Sequence, residues 1–138
     1  MSRPHILIVD DNLTSQKVMA IICNRFGFDT TCVGSGAAVM KLLGAPNNVD
    51  LILMDWHLED TDGLEVTHQI REKEAGTGLH MPIVAVTGSA RKEDHDECLA
   101  AGMDDYLSKP FEVDALIAVL KKWTNPEGYQ KVSFPVSA

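Results

Sequence analysis

Three short stretches decide the fold of this chain: Ile6-Leu7-Ile8-Val9, Leu51-Ile52-Leu53-Met54 and Ile83-Val84-Ala85-Val86. Each is apolar at every position, without the alternation seen in strands that have one side in water. Such runs are typical of strands buried on both faces of a parallel sheet. Two more polar segments, Phe28 to Val33 and Tyr106 to Ser108, are predicted to form its edge strands.

The segments between these runs are predicted to be helices. The last has the clearest apolar face, formed by Val113, Leu116, Ile117, Leu120 and Trp123. Residues 13–26 form a second candidate, with a predicted apolar face of Val18, Ile21, Ile22 and Phe26. The segment from Arg91 to Ala101 is weakly amphipathic, so it is predicted to be the least firmly anchored helix.

Helix ends are also visible in the sequence. Asn12 or Thr14 is available as the N-cap of the first helix. Gly27 and Gly102 are placed to end helices, because glycine adopts the backbone conformation common just after a last turn.

Strand and helix alternate five times, which predicts a parallel sheet with helices on both faces. Placing the apolar runs centrally and the polar strands at the edges gives the strand order 2-1-3-4-5. The predicted fold class is therefore α/β, a single doubly wound five-stranded sheet. Its ligand crevice is expected beyond the carboxyl ends of the first and third strands.

Composition limits the classes of function. The 138 residues fit one domain, and a net charge of -8 disfavours binding to nucleic acid or anionic lipid. No apolar run approaches the roughly 20 residues of a membrane helix, and no secretory signal is visible, so a cytoplasmic location is expected. The scattered cysteines form neither a disulfide pattern nor a metal motif: Cys23, Cys32 and Cys98.

Polar residues follow directly after four of the predicted strands: Asp10 and Asp11, Asp55, Thr87, and Lys109. Because the carboxyl ends of parallel strands meet at one edge of a sheet, these five side chains are expected to converge. Each alone would be an ordinary helix cap or surface residue, but five together are not. Crowded carboxylates with room for water and a phosphoryl group favour a hard divalent cation, Mg²⁺ rather than Ca²⁺.

The chemistry that suits these groups is phosphoryl transfer. Lys109 supplies a fixed positive charge and Thr87 a hydroxyl for the phosphoryl oxygens. Asp55 is the candidate nucleophile, because carboxylates form aspartyl phosphates, and the backbone N–H groups of Trp56 and Gly88 can donate to the same group. The histidines are too scattered for a metal site: His5, His57, His68, His80 and His95.

These motifs resemble the response-regulator receiver domain of two-component signalling. The similar segments occur in order over about residues 4–123: Ile6 to Asn12, Leu53-Met54-Asp55, Val86-Thr87-Gly88 and Lys109-Pro110. Residues 98–110 are most similar to receivers attached to hybrid histidine kinases. Residues 124–138 lie beyond the resemblance, show no sustained period and are expected to be a tail or a truncated linker.

The resemblance implies a flavodoxin-like fold and a magnesium-dependent phosphoacceptor. Asp55 would take a phosphoryl group from a phosphohistidine, supplied by a histidine kinase or a histidine phosphotransfer domain. Asp11, Asp55 and the backbone carbonyl of His57 would bind Mg²⁺ directly, and Asp10 would act mainly through water. Lys109 would contact the aspartyl phosphate.

The resemblance also implies a switch rather than an enzyme that turns over a free substrate. Thr87 would hydrogen-bond to the phosphoryl group, and Tyr106 would move inward as Thr87 shifts. The surface of the fourth helix, fifth strand and fifth helix would then change shape. The Lys109-Pro110 bond is expected to be cis. The domain is expected to be a monomer or a weak dimer.

One departure from the family pattern follows the acceptor. The family commonly has Met-Pro there, whereas this chain has Leu58-Glu59-Asp60-Thr61-Asp62-Gly63. Losing the proline is expected to loosen the loop and to add a charge near the metal. Trp56 and His57 are bulky neighbours of Asp55, at positions where side chains can shield the phosphoryl group or steer the attacking water, so an effect on phosphoryl lifetime is expected.

Two other classes share parts of this pattern. A haloacid-dehalogenase-type phosphatase also uses an aspartate nucleophile, but in an Asp-x-Asp motif on its first strand, whereas Trp56 and His57 follow Asp55 here. A nucleotide- or flavin-binding module is suggested by Gly34-Ser35-Gly36, but this glycine run follows the second strand and is incomplete. Both are disfavoured.

Overall fold

Helices and strands alternate along the whole described chain, in a computed structural model that describes residues 3–88 and 91–124. The elements, in order, are β1 His5–Val9, α1 Leu13–Arg25, β2 Asp29–Val33, α2 Gly36–Leu43, β3 Leu51–Asp55, α3 Gly63–Glu74, β4 Ile83–Thr87, α4 Lys92–Ala100, β5 Asp105–Ser108 and α5 Val113–Thr124. Within those residues, no helix has both the length and the apolar character needed to cross a bilayer. The predicted tail lies outside the described residues from position 125 onward.

The strands form one parallel sheet in the order β2-β1-β3-β4-β5, as predicted. Neighbouring strands end almost level, because Val9 pairs with Met54 and Asp55 pairs with Val86. At the other side of the sheet, Thr87 pairs with Ser108. Residues at and just after these strand ends are therefore delivered to one edge of the sheet.

Two apolar layers cover the opposite faces of the sheet, because successive strand residues point to opposite sides. Leu7 and Ile52 are fully buried in the layer made with α2, α3 and α4. Ile6 and Leu53 are fully buried in the layer made with α1 and α5. Neither face of the central strands meets water, which is why these strands are apolar at every position.

The orientation of α1 differs from the prediction. The helix buries Met19 and Cys23, and of the predicted apolar face only Ile22 packs partly against the core. The other members of that face remain 47%, 61% and 48% exposed, in the order Val18, Ile21 and Phe26. The predicted face was therefore wrong for most of its residues.

Contacts at the start of α1 account for this orientation. The side-chain amide of Gln16 donates to the backbone carbonyls of Asp10 at 2.6 Å and Val33 at 3.2 Å. Met19 and Cys23 follow Gln16 at i+3 and i+7, on the same helix face. Since that face is fastened to the ends of β1 and β2, it is the one turned toward the sheet.

The helix caps follow the sequence closely. Asn12 is the N-cap of α1, and its side-chain oxygen accepts a hydrogen bond from Ser15 N at 2.9 Å. Thr14 lies inside the helix instead. Gly27 and Gly102 follow α1 and α4 with φ of +99° and +108°, in the region that favours glycine.

Helix α4 buries the least, as predicted. Of its residues only Cys98 is buried, whereas α5 buries Leu116, Ile117 and Leu120. Little apolar surface therefore holds α4 against the sheet, which is typical of an element that can move.

Candidate functional site

Three carboxylates meet at the carboxyl edge of the sheet. Asp55 ends β3, and Asp10 and Asp11 follow the adjacent strand β1. Each offers one oxygen, and these oxygens all lie within 4.8 Å of one another. Asp10 is buried, Asp55 is partly buried and Asp11 is exposed, so the cluster runs from the protein interior to the surface.

The Asp10 carboxylate is fixed on both of its oxygens. Oδ1 accepts a hydrogen bond from Asn12 N at 2.9 Å, and Oδ2 accepts one from Lys109 Nζ at 3.1 Å. With only 1% of its side chain exposed, Asp10 is a preorganised negative charge at the floor of the cluster.

Lys109 reaches the cluster from the turn after β5. Its Nζ lies 3.1 Å from Asp10 Oδ2 and 3.7 Å from Asp55 Oδ1. Its backbone N–H donates to the carbonyl of Thr87 at 2.7 Å, and its peptide bond to Pro110 is cis, as expected. One ammonium group thus faces three carboxylates, which leaves negative charge for a cation to neutralise.

The Asp55 carboxyl has an altered acidity. Burial raises the pKa of Asp55 from its ordinary 3.8 to about 6, and the negative charges of Asp10 and Asp11 add to that effect. The Lys109 ammonium is the main opposing influence, and a hydrogen bond from Trp56 N at 3.0 Å also lowers this pKa. Asp55 is therefore ionised at neutral pH, but its charged form is less stable than that of a free carboxylate.

A cavity of about 430 Å³ opens beside Asp55. Its lining residues are Asp55, Trp56, His57, Thr87, Gly88 and Asp94. The presence of Asp94 in this lining was not predicted. Asp94 lies in the first turn of α4, within an acidic run and away from any strand end, so its sequence context does not mark it as a site residue. The cavity has room for a phosphoryl group and bound water.

The predicted switch residues lie on neighbouring strands. Thr87 ends β4 and is buried, whereas Tyr106 on β5 is 37% exposed. The aromatic side chain thus has an outward position in this structure.

The loop between β3 and α3 is tied down by hydrogen bonds despite having no proline. Gly63 N donates to the carbonyl of Trp56 at 2.7 Å, and Leu58 N donates to the carbonyl of Thr61 at 3.1 Å. The Asp60 carboxylate accepts hydrogen bonds from the first backbone N–H groups of α2. That contact was not foreseen, because it joins residues 24 positions apart.

Apolar surface lies next to the cluster on the α1 side. Leu13 and Ile21 are 69% and 61% exposed. A groove of about 400 Å³ separates α1 from the turn after β5, and it is lined by Thr14, Ser15, Val18, Met19, Lys109, Pro110 and Phe111. Lys109 therefore belongs both to the carboxylate cluster and to the edge of this apolar groove.

The fold and the carboxylate cluster define a class of protein. The sequence pattern of the response regulator receiver domain family matches residues 6–121. The chain therefore belongs to this family, and it is a receiver domain of two-component signalling.

The curated relatives include histidine kinases. Histidine kinase 2 of Arabidopsis thaliana is 34% identical over 139 residues, which cover 88% of this chain and 12% of that relative. The chain spans only 12 to 14% of the length of three such kinases. Hybrid signal transduction histidine kinase I of Dictyostelium discoideum is 37% identical over 119 residues, which cover 83% of this chain and 7% of that relative, so the predicted similarity to hybrid histidine kinases is confirmed.

Solved structures show the same fold. The receiver domain of sensor histidine kinase PA1611 from Pseudomonas aeruginosa, with a magnesium ion coordinated in its active site cleft, is 35% identical at a TM-score of 0.77; the match covers 90% of this chain and 98% of that one. A chain in the co-crystal structure of the Saccharomyces cerevisiae histidine phosphotransfer protein Ypd1 and the Ssk1 receiver domain is 26% identical at a TM-score of 0.83, covering 94% of each. The predicted flavodoxin-like receiver fold is thus confirmed.

Proposed function

We propose that this domain is the phosphoacceptor of a two-component phosphorelay and that Asp55 receives a phosphoryl group from a phosphohistidine. One observation carries the proposal: Asp55 Oδ1 lies 3.7 Å from Lys109 Nζ, in a carboxylate cluster beside an open cavity. A carboxylate held next to a fixed cation and open to a cavity is suited to attack phosphorus.

The donor chemistry of the cluster fits Mg²⁺. Carboxylate and carbonyl oxygens are the ligands that hard divalent cations prefer. We assign Asp11, Asp55 and the backbone carbonyl of His57 as direct ligands, with Asp10 acting through water. When bound, the ion would neutralise the carboxylates and the phosphoryl oxygens. The magnesium ion in the PA1611 receiver domain supports this assignment.

In the proposed transfer, an Asp55 oxygen attacks phosphorus, an O–P bond forms and the P–N bond to the donor imidazole breaks. The imidazole keeps the electron pair of that bond and takes up a proton. Lys109 Nζ compensates the charge on the phosphoryl oxygens, and the Thr87 hydroxyl and the N–H groups of Trp56 and Gly88 donate to them. Lys109 and the Trp56 N–H already contact Asp55 before reaction, so these two groups need little reorganisation.

In this proposal the domain catalyses only its own phosphorylation and autodephosphorylation and is a signalling domain rather than an enzyme. The haloacid-dehalogenase alternative needs a second acidic residue two positions after the nucleophile, where His57 stands. Multiple turnovers of an aryl phosphate would favour that alternative, and heat released on nucleotide titration would favour a nucleotide-binding module.

The proposed partner is a histidine kinase or a histidine phosphotransfer domain. The co-crystal of Ypd1 with the Ssk1 receiver supports such a partner. After transfer, movement of Thr87 and Tyr106 is proposed to reshape the surface of α4, β5 and α5. We assign residues 4–123 to the receiver domain and propose that it is cytoplasmic. We propose that it is a monomer or a weak dimer and that it does not itself contact nucleic acid or a membrane.

The direct test is labelling with acetyl phosphate or phosphoramidate in the presence of Mg²⁺. Wild type should incorporate one phosphoryl group, whereas Asp55→Asn and Asp55→Ala should incorporate none while keeping the wild-type circular dichroism spectrum. Stoichiometric labelling of either variant would contradict the assignment of Asp55.

A further inference from the structure

The loop between β3 and α3 carries groups that the proposed site depends on. In the proposed site Trp56 would supply a backbone N–H to the phosphoryl group, and His57 would supply a carbonyl to the metal. At the position where the family commonly has proline, this chain has Glu59. The loop therefore needs another source of order to hold Trp56 and His57 in place.

Asp60 joins this loop to α2 through both of its carboxylate oxygens. Its Oδ1 accepts a hydrogen bond from Gly36 N at 2.8 Å, and its Oδ2 accepts one from Ala37 N at 3.1 Å. These are N–H groups that a helix cannot satisfy internally, and a carboxylate there is favoured by the helix dipole. The same two bonds lower the pKa of Asp60, which keeps the carboxylate charged.

Gly36 allows the loop to approach this closely. A Cβ at Gly36 would lie 2.6 Å from Thr61 Cγ2 and 2.8 Å from Val66 Cγ2, both shorter than real contacts allow. The loop residue Thr61 thus packs directly on the start of α2. A glycine at this helix position and a carboxylate in the facing loop form one complementary contact.

The rest of the loop transmits this anchor toward the site. Leu58 N donates to the Thr61 carbonyl at 3.1 Å, and His57 forms an isolated bridge with Asp62. Gly63 N donates to the Trp56 carbonyl at 2.7 Å, which closes the loop at its base. Asp60 therefore fixes the outer end of a short hydrogen-bonded loop whose inner end carries Trp56 and His57.

We propose that Asp60 is a positioning residue for metal and phosphoryl binding: by fastening the loop to the first turn of α2, it holds the His57 carbonyl and the Trp56 N–H in their working places. This inference rests on the proposed function of the site. Asp60 is not a member of the carboxylate cluster, and its two hydrogen bonds to α2 replace the rigidity that a proline gives.

The test is a calorimetric Mg²⁺ titration of the whole chain. Asp60→Ala should weaken Mg²⁺ binding about tenfold, the lower end of what is lost when an outer partner of a metal ligand is removed. Asp60→Asn, which keeps an accepting oxygen, should fall between Asp60→Ala and wild type. Glu59→Gln is the matched control, because it removes the same charge from the adjacent exposed residue, and it should bind like wild type.

A second measurement separates positioning from general destabilisation. Amide hydrogen exchange should accelerate from Trp56 to Asp62 and at Gly36 and Ala37 in Asp60→Ala, while the central strands keep wild-type protection. Gly36→Ala, which displaces the loop from the other side, should weaken Mg²⁺ binding as well.

The outcomes distinguish the two proposals. Equal Mg²⁺ affinity in wild type, Asp60→Ala and Gly36→Ala would overturn the role of Asp60 and leave the function of the site intact. A wild type that binds no Mg²⁺ in an Asp55-dependent way would overturn the proposed function itself. A loss in Glu59→Gln as large as that in Asp60→Ala would show a charge effect and also overturn the positioning role.

Discussion

The imidazole ring of His95 stacks on the phenol ring of Tyr106, with ring centroids 3.6 Å apart and planes inclined by 22°. The pair joins α4 to β5 at the proposed switch residue. Since Cys98 is the only buried residue of α4, the stack adds a second contact between this helix and the sheet. It also keeps Tyr106 in its outward position, so inward movement of Tyr106 requires the stack to break.

Replacing His95 by alanine is therefore expected to loosen α4 and to favour inward positions of Tyr106. An aromatic pair contributes about 0.5–1.5 kcal/mol beyond area burial, and amide exchange in Lys92–Ala100 should accelerate accordingly. His68→Ala on α3 is the control. It makes the same substitution, with the same gain in helix propensity, at an exposed histidine. Unchanged exchange in α4 of His95→Ala would show that the stack does not restrain the switch.

The raised pKa of Asp55 predicts a pH-dependent stability of the metal-free protein. Between about pH 4 and pH 6 the folded protein keeps the Asp55 proton that the unfolded chain releases, so stability falls as pH rises through this window. With about 1.4 kcal/mol per pKa unit, a rise from 3.8 to about 6 costs up to about 3 kcal/mol above pH 6.

Denaturant unfolding in EDTA measures this cost. Asp55→Asn should be more stable than wild type at pH 7.5 and similar to it at pH 4, and Mg²⁺ should stabilise only the wild type. Asp96→Asn, at an exposed acid of α4, should follow wild type at both pH values. A constant difference between wild type and Asp55→Asn across this range would contradict the raised pKa.

The exposed apolar face of α1 is expected to receive the phosphohistidine partner. It lies beside the groove that Lys109 edges, so a partner that reaches Asp55 from this side covers Val18 and Ile21. Ile21→Glu should slow transfer from a phosphorylated histidine phosphotransfer protein about tenfold, equivalent to about 1.4 kcal/mol of binding. Its labelling by acetyl phosphate should stay at the wild-type rate, because no partner docks in that reaction.

Gln69→Glu provides the comparison for Ile21→Glu, since it adds the same charge to an exposed position on α3, across the sheet. It should leave both reactions unchanged. If Ile21→Glu accepted the phosphoryl group from the protein donor as fast as wild type, α1 would not be the docking face.

An ion-pair network centred on the buried Glu74 lies at the opposite edge of the sheet from the carboxylate cluster. Glu74 is 5% exposed, pairs with Arg71 at 2.6 Å and accepts a hydrogen bond from Met81 N at 2.6 Å. Arg71 also pairs with Asp104 at 2.9 Å. Glu74→Ala removes one partner of the partly buried Arg71 guanidinium and leaves the buried Met81 N–H without its acceptor, so it should cost about 3 kcal/mol in urea unfolding.

Glu74→Ala should keep wild-type Mg²⁺ affinity, because Glu74 lies at the opposite edge of the sheet from the carboxylate cluster. Glu72→Ala, at a largely exposed acid of the same helix, should change stability by less than about 1 kcal/mol. A loss of similar size in both variants would mean that burial of the network contributes nothing.

Much of the fold could be predicted because the signals are local. The all-apolar runs ending at Val9, Met54 and Val86 are too short and too continuous for anything but buried strands, and strand–helix alternation then restricts the sheet to a few orders. The convergence of Asp10 and Asp55 follows from that order without any knowledge of side-chain packing. Residues that lie at strand ends were therefore found from the sequence.

Residues that act through distant partners were missed. Asp94 lines the cavity from α4, but an acidic run at a helix start is common whether or not a site lies nearby. Asp60 was not singled out in the sequence, because its hydrogen bonds to Gly36 and Ala37 depend on how α2 and the loop pack. Neither the position of Asp94 beside the cavity nor the hydrogen bonds of Asp60 produce a periodic pattern in the sequence.

The sequence by itself determined the strand order, the strand-end positions of Asp55 and its neighbours, and the glycine-ended helices, because burial and backbone conformation leave marks at single residues. Only the tertiary structure decided which face of α1 is buried and what holds the loop after Asp55. Apolar residues occur on more than one side of α1, so its rotation depends on the contacts of Gln16 with β1 and β2. Likewise the anchor of Asp60 exists only once α2 has been packed against the sheet, since its partners are backbone groups that every residue carries.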